Sequence, residues 1–150
     1  MKELRGEASA TVDVAKDECL RFLAAVDAYP QWYPETVREV RVLERDGDGN
    51  PARVQAKLHI ARGPLVRDFE LTMALRIDPA GTVTLERIAN GPGDGERFSV
   101  TWRLGGASRL GVELDANLSV PRMMPLGGLA DSIAGGFLHA ALDALGRLER

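Results

Sequence analysis

The stretch LVRDFELTMALRI (residues 65–77) alternates side chains of opposite character more regularly than any other part of the chain. One face of this stretch is apolar except for a single arginine, and the opposite face is largely polar. The apolar face carries Leu65, Arg67, Phe69, Leu71, Met73, Leu75 and Ile77. The opposite face carries Asp68, Glu70, Thr72 and Arg76. A two-residue period predicts a β-strand that buries one face against a core and leaves the other in water.

Similar alternation precedes and follows this strand. The alternating segments include residues 7–14, 40–42, 52–60, 83–85, 98–104 and 110–120. Short segments rich in Gly, Asp and Pro, which favour turns, separate them at residues 46–50, 63–64, 78–81 and 105–106. Strands joined in sequence by short turns predict an antiparallel sheet with one buried face.

Two helical regions flank the six later strands. Between the first strand and the rest, Cys19, Phe22 and Val26 recur at helical spacing, which predicts a helix of about ten residues that ends near Asp27. The prolines of residues 30–34 limit the next segment to one or two helical turns. Near the C-terminus, Pro125 is well placed to open a last helix of roughly 35–40 Å. Its apolar stripe comprises Leu126, Leu129, Ala130, Ile133, Phe137, Ala141, Leu145 and Leu148.

These elements predict an α+β helix-grip fold for residues 1–150 as a single domain. A curved seven-stranded antiparallel sheet surrounds a long C-terminal helix, and two short helices follow strand 1. Inward positions are often small, as at Ala52, Ala56 and Ala116, and Gly135 and Gly136 thin the helix in its middle. Small residues on both facing surfaces indicate either close approach or a void, and both interpretations stay open. An apolar void with a few polar groups would be a ligand site.

Composition narrows the function classes. The chain has 150 residues, 45% of them hydrophobic and 27% charged, with a net charge of −3 and scattered arginines, which argues against nucleic acid as a partner. Cys19 is the only cysteine, and the N-terminus has no apolar run typical of a signal peptide. Charged residues interrupt the apolar stretch 126–145. We therefore expect a cytoplasmic monomer or weak homodimer without a cofactor, a metal site or stable membrane insertion.

The segment DAYPQWYPE (residues 27–35) resembles the segment after the first helix in the START-like (SRPBCC) superfamily, which includes polyketide cyclase/dehydratase and coenzyme-Q-binding proteins. Residues 63–69 (GPLVRDF) and 102–104 (WRL) match as well, and the resemblance covers essentially the whole chain. It implies a cavity between sheet and helix that holds lipids, quinones, hormones or polyketides. A minority of such proteins catalyse cyclisation and aromatisation there.

The resemblance also implies a pocket mouth formed by residues 33–36, 61–65, 90–95 and 120–125. Met123 and Met124 in the last of these loops form either a lid over the ligand or a cap on the core next to Trp32. The predicted ligand-binding residues are Trp32, Tyr33, Arg67, Phe69, Met73, Arg87, Trp102, Met123, Met124, Ile133 and Phe137.

In the two-residue alternation of their strands, Arg67 and Arg87 fall on the inward, otherwise apolar face; we call this inward parity. They are either anchors for a carbonyl, phenolate or carboxylate of the ligand, or they reach solvent or pair with an acid such as Glu35. Arg67 and Tyr33 are the candidate catalytic residues. An equally good interpretation is that Trp32 and Tyr33, aromatic residues next to prolines, only fill space in the structure. No clear general base accompanies Arg67 and Tyr33, because parity and position predict that His59 and His139 are solvated and that Cys19 is a core residue.

Three functions follow from these observations. The first is a binding or carrier protein for a hydrophobic small molecule, such as a lipid, a quinone or a polyketide-like compound. The second is a polyketide aromatase/cyclase or dehydratase. The third is a protein-interaction module.

Overall fold

The computed structural model describes residues 2–106, 108–119 and 128–148. The helical elements are α1 (Lys16–Ala24), a 3₁₀ turn (Val26–Ala28), α2 (Tyr29–Trp32) and α3 (Leu129–Leu148). The strands are β1 (Lys2–Thr11), β2 (Val37–Arg45), β3 (Pro51–Arg62), β4 (Leu65–Asp78), β5 (Thr82–Arg87), β6 (Arg97–Gly105) and β7 (Arg109–Leu118).

All seven strands form one antiparallel sheet in the order β1-β7-β6-β5-β4-β3-β2. Strands β2 to β7 follow one another as hairpins, whereas β1 pairs with β7 along its whole length, from Lys2 opposite Leu118 to Thr11 opposite Arg109. Helices α1 and α2 carry the chain from β1 at one edge of the sheet to β2 at the other. The predicted helix-grip fold, with its element order, is confirmed.

The apolar and polar side chains that alternate along residues 65–77 are alternately buried and more exposed in β4. Leu65, Phe69 and Met73 are buried, whereas Val66 on the other face is 69% exposed. The apolar stripe of α3 is buried against the inward face of the sheet and shares one hydrophobic core with it. Its buried members include Leu129, Ala130, Ile133, Phe137, Ala141 and Leu145.

Two predicted helix limits need correction. Helix α1 ends at Ala24 rather than near Asp27, because Ala25 leaves the helical region (ψ 65°) and the chain turns into the 3₁₀ segment. The last helix begins at Leu129 and not at Pro125, because Gly128 before it has a left-handed backbone (φ 73°). Its 20 residues span about 30 Å at 1.5 Å per residue. Pro125, Met123 and Met124 themselves lie outside the described residues.

Helix α3 packs chiefly against β1 and β7, and it does so at backbone contact distance. A methyl group added at Gly6 in β1 would overlap the carbonyl carbon of Ala130 and the amide nitrogen of Asp131. The Asp131 carboxylate also accepts a hydrogen bond of 3.0 Å from the Glu7 amide. At this end of the helix the small residues therefore serve close approach.

We expect Gly6→Ala to lower the free energy of unfolding by roughly 1–3 kcal/mol, because the added methyl group forces α3 away from β1. Gly111→Ala in β7 is the matched control: its methyl group would meet its nearest atoms, the Ala8 carbonyl oxygen and Ser9 Cβ, at an ordinary 3.8 Å. Urea unfolding followed by tryptophan fluorescence measures both. An equal loss of stability in the two variants would contradict the proposed contact.

Candidate ligand site between the sheet and the C-terminal helix

A small apolar void lies in the core beside α3. Its volume is about 20 Å³, which is room for about one water molecule. The lining comes from the 3₁₀ turn, α2, the inner face of β2 to β6, and one residue of α3. These residues are Val26, Tyr29, Val37, Val40, Ala56, Leu58, Met73, Leu85, Phe98, Val100 and Phe137. Small inward residues were expected to indicate either close approach of the helix to the sheet or a void, and both occur in different places. The helix approaches the sheet closely at Gly6, and a small void remains at Ala56.

The described residues contribute no free polar group to the lining of the void. Among them Tyr29 alone has a polar side chain, and its hydroxyl donates a hydrogen bond of 2.5 Å to the Leu23 carbonyl oxygen. Burial raises the pKa of the Tyr29 hydroxyl, so the group stays protonated and keeps this bond. The void as described can therefore accommodate apolar matter and offers no anchor for charge.

A second, polar cleft of about 110 Å³ lies at the end of β3, between the α2–β2 loop and α3. Two of the four predicted mouth loops, residues 33–36 and 61–65, meet here. The lining residues of this polar cleft are Tyr33, Glu35, Thr36, His59, Ile60, Ala61, Arg62 and Ile133. Sequence reasoning had not considered Arg62, although its parity on β3 matches that of buried Leu58 and Ile60. The parity argument that selected Arg67 and Arg87 would have selected Arg62 too.

Two aromatic rings separate the polar cleft from the apolar void. Tyr33 lines the cleft and Phe137 lines the void. Their rings meet edge to face, with centroids 5.0 Å apart and planes inclined by 72°. Trp32 lies behind Tyr33, with the two ring planes only 9° from parallel and centroids 6.2 Å apart. We call the pair Tyr33 and Phe137 the aromatic wall.

The two arginines selected by parity are both held by the segment that precedes β6. The Arg67 guanidinium donates to both carboxylate oxygens of Glu96 at 3.1 Å and lies 4.4 Å from the centroid of the Phe69 ring. Arg87, whose side chain is only 8% exposed, donates to the Asp94 carboxylate at 2.6 Å and to the Glu96 carbonyl oxygen at 2.8 Å. Their acidic partners are therefore Glu96 and Asp94, not Glu35. Arg67, Arg87, Asp94 and Glu96 form what we call the loop clasp.

Asp94 is the most strongly bonded acid of the loop clasp. Its carboxylate accepts hydrogen bonds from Arg87 and from the backbone amides of Asn90 (2.9 Å) and Glu96 (3.2 Å). The bond from Arg87, followed by that from the Asn90 amide, lowers the pKa of Asp94 from 3.8 to about 2. The loop of residues 90–95 is therefore fastened to β5 by an ionised carboxylate.

The remaining predicted contact residues occupy the core around these features. Phe69, Trp102 and Ile133 are buried, and Met73 lines the void. The indole N–H of Trp32 is buried without a hydrogen-bond acceptor in the described part of the chain. Whether these side chains touch a ligand stays a prediction, and Met123 and Met124 lie outside the described residues.

The two histidines and the cysteine differ in their surroundings. His59 is 31% exposed, and its Nδ1 lies 2.6 Å from an oxygen of Asp68, the residue directly opposite on β4. His139 on α3 is exposed. Cys19 is fully buried, and burial raises the pKa of its thiol to about 11, as expected for a core residue.

Among the described residues, no group of three or more His, Cys, Asp or Glu side chains is arranged to bind a metal ion. No helix within the same ranges is both long enough and apolar enough to cross a membrane.

The sheet wrapped around one long helix, with a void and a cleft along that helix, defines a helix-grip protein. A family model described as "Polyketide cyclase / dehydrase and lipid transport" matches residues 12–145. The chain belongs to this family, which is part of the START-like superfamily that residues 27–35 resemble. No curated protein shows significant sequence similarity to the chain.

Solved structures agree on the fold. A START superfamily protein from Mycobacterium smegmatis aligns with a TM-score of 0.65 and 21% identity over 97% of each chain. The Zhui aromatase/cyclase from Streptomyces sp. R1128 gives the same TM-score of 0.65 and the same 21% identity, over 99% of this chain and 97% of that one. Major latex-like protein 151 from Panax ginseng aligns with a TM-score of 0.66 and 13% identity over 97% of each chain. At these identities the likeness is one of fold.

We expect the loop clasp to stabilise the protein above pH 4 and to weaken below it. Because the pKa of Asp94 falls from 3.8 to about 2 on folding, its contribution is complete above pH 3.8 and is lost as the pH falls towards 2. The difference in urea midpoint between the wild type and Asp94→Asn should therefore be constant near neutral pH and shrink in acid. Asp13→Asn, which removes an exposed carboxylate before α1, is the control. A wild-type advantage over Asp94→Asn that persists undiminished at about pH 2 would contradict this assignment.

Proposed function

We propose that this protein binds a hydrophobic small molecule, a lipid, a quinone or a polyketide-like compound, between the sheet and α3. The observation that carries this proposal is the apolar void, whose lining comes from five neighbouring strands and from Phe137. Because α3 packs chiefly on β1 and β7, the inner faces of β2 to β6 are covered mainly by side chains, which can move, and not by helix backbone.

Binding requires the void to expand. A drug-sized ligand occupies a pocket of roughly 300–1,000 Å³, far more than the 20 Å³ of the void in this state. Two lining residues can provide the additional space. Met73 has three rotatable side-chain bonds and adapts its shape at low cost. Phe137 belongs to the aromatic wall, beyond which lies the polar cleft.

The direct test is saturable binding of 1-dodecanol and of a decyl-substituted benzoquinone, followed by isothermal titration calorimetry. Native mass spectrometry of the protein as purified from cells, with denaturing extraction, provides an independent test for a bound apolar molecule. Absence of saturable binding to both probes, together with a ligand-free mass, would exclude the proposed function.

We expect Phe137→Ala to lower the free energy of unfolding by about 3–5 kcal/mol and to enlarge the void. Because a ligand that binds only the folded state stabilises it, 1-dodecanol should raise the melting temperature of this variant by more than that of the wild type. Phe22→Ala is the control, since Phe22 stacks on Trp32 with centroids 5.1 Å apart and lies outside the void lining. An equal ligand-induced shift in both variants would mean that the void is not where the probe binds.

A second candidate function, polyketide cyclisation, is favoured by one observation. A cyclisation that proceeds by proton transfer needs a base within reach of the substrate. His59 and Glu35 line the same polar cleft as Tyr33 and are the groups of its lining that can accept a proton. The His59 side chain lies on the outward face of β3, where its Nδ1 contacts Asp68. The guanidinium of Arg67, the other catalytic candidate, is held by Glu96 and supplies no base.

If the protein is a cyclase, His59→Gln should lower the turnover of a poly-β-ketone substrate by roughly 100-fold or more and leave its binding unchanged. His139→Gln, on the exposed face of α3, is the matched control and should retain full activity. Product analysis by liquid chromatography measures both. Equal rates in the two variants, or no turnover by the wild type, would leave the binding function alone.

A further inference from the structure

The polar cleft at the end of β3 contains an arginine, Arg62, whose guanidinium has no acidic partner among the described residues. Arg62 is half-buried and inward-facing, and within the described part of the chain no carboxylate lies within 4 Å of its guanidinium. Arg67, Arg87 and Arg97 each have such a partner. The acidic group that shares the cleft is Glu35, which is exposed at its rim.

A hydroxyl group lies beside this cation. A methyl group added at Gly136 of α3 would come within 2.5 Å of the Tyr33 hydroxyl oxygen and 2.6 Å of Arg62 Nη2. The two polar groups therefore meet at the same point of the helix, and glycine at position 136 makes the room for both. Gly135 has no such neighbour, because nothing lies within 4 Å of a methyl group added there.

The backbone of β3 adds a third donor. The pairing of β2 with β3 begins at Val37, which lies opposite Leu58. One further backbone hydrogen bond joins the two segments before that point: the His59 amide donates to the Thr36 carbonyl oxygen at 2.7 Å. In an antiparallel sheet every second residue directs its N–H and C=O to the same side. The N–H of Ala61 therefore faces the same edge as that of His59, at a level where β2 is no longer present, and Ala61 lines the cleft.

A guanidinium, a phenol hydroxyl and a backbone N–H around one small cleft are donors of the kind that bind an oxyanion. We propose that the polar cleft binds the oxyanion head group, a carboxylate or a phosphate ester, of an amphipathic ligand. The apolar body of this ligand passes the aromatic wall and occupies the expanded void. This inference rests on the proposed binding function and adds to it the charge of the ligand and the residues that select for it.

The geometry of the aromatic wall connects the two compartments. Tyr33 contacts the head-group side and Phe137 the apolar side, so rotation of these two rings joins the cleft to the void. The head group then stays beside Arg62 while the chain lies along the inner faces of β3 and β4. Arg67 and Arg87 keep their bonds in the loop clasp and are not required to bind the ligand's charge.

The test compares probes with the same twelve-carbon chain: dodecanoate, dodecyl phosphate and 1-dodecanol. For the wild type we expect one of the two anions to bind about 10- to 100-fold more tightly than the alcohol, as for a charge-assisted hydrogen bond. In Arg62→Gln this preference should disappear while the affinity for 1-dodecanol is retained. Arg76→Gln, which removes an exposed arginine bonded to Glu86 on β5, should keep the preference.

The outcomes separate the two proposals. If 1-dodecanol, the decyl-substituted benzoquinone and both anions all fail to bind and the purified protein carries no ligand, the proposed function itself is wrong. If the alcohol binds and neither anion binds more tightly, the protein binds apolar ligands but the head-group site is wrong. A preference for dodecyl phosphate over dodecanoate that depends on Arg62 would identify the head group as a phosphate, and the reverse order would identify a carboxylate.

A spectroscopic measurement tests the contact without relying on affinity. In carboxyl-¹³C-labelled dodecanoate bound to the wild type, Arg62 should hold the carboxyl pKa below that of the same ligand bound to Arg62→Gln. Circular dichroism establishes that the variant is folded. Identical carboxyl titrations in the two complexes would overturn the assignment of Arg62 as the group that binds the anion.

Discussion

The packing of α3 directly on β1 is the constraint on which the rest of the structure depends. Gly6 allows the helix backbone to touch the strand at Ala130 and Asp131, and the bond between Asp131 and the Glu7 amide holds it there. The helix is thereby placed over β1 and β7 at one edge of the sheet. Since a sheet of seven strands is wider than one helix, the inner faces of the strands towards β2 must be covered by side chains from α1, α2 and the helix. The apolar void and the polar cleft both lie on this side, where side chains and not helix backbone cover the sheet.

The division of that space into two compartments follows from the sequence around residues 29–37. Prolines at positions 30 and 34 keep α2 to a single turn, so Tyr29 and Tyr33 both point into the protein one helical turn apart. Tyr29 is fastened to Leu23 and closes the apolar side, whereas Tyr33 meets Phe137 and faces the cleft. The segment that carries the family resemblance is therefore also the segment that separates apolar from polar surroundings.

Most of the fold was predictable, because burial in a one-sided sheet imposes a two-residue period that survives in the sequence. The same parity selected Arg67 and Arg87 as inward-facing. Their partners were not predictable, since Asp94 and Glu96 lie in a loop without periodicity, and only the folded chain brings them to β4 and β5. His59 illustrates the same limit: its outward parity was visible, but its contact with Asp68 depends on the register of β3 against β4. The size of the void depends on how closely α3 approaches the sheet, which no pattern in the sequence specifies.

The two closures around the site differ in what must be broken to open them. Opening the loop clasp separates Arg87 from Asp94, and because the arginine side chain is almost fully buried, this leaves a charge without a partner in a poorly solvated place. Opening the aromatic wall rotates two rings whose edge-to-face contact is worth about 0.5–1.5 kcal/mol beyond the area that they bury. Ring rotation exchanges one apolar contact for another when an apolar ligand enters, so its cost is largely offset by the ligand itself. For the proposed ligand, entry through the polar cleft therefore costs less free energy than entry through the loop clasp, and on that route Arg62 precedes the void.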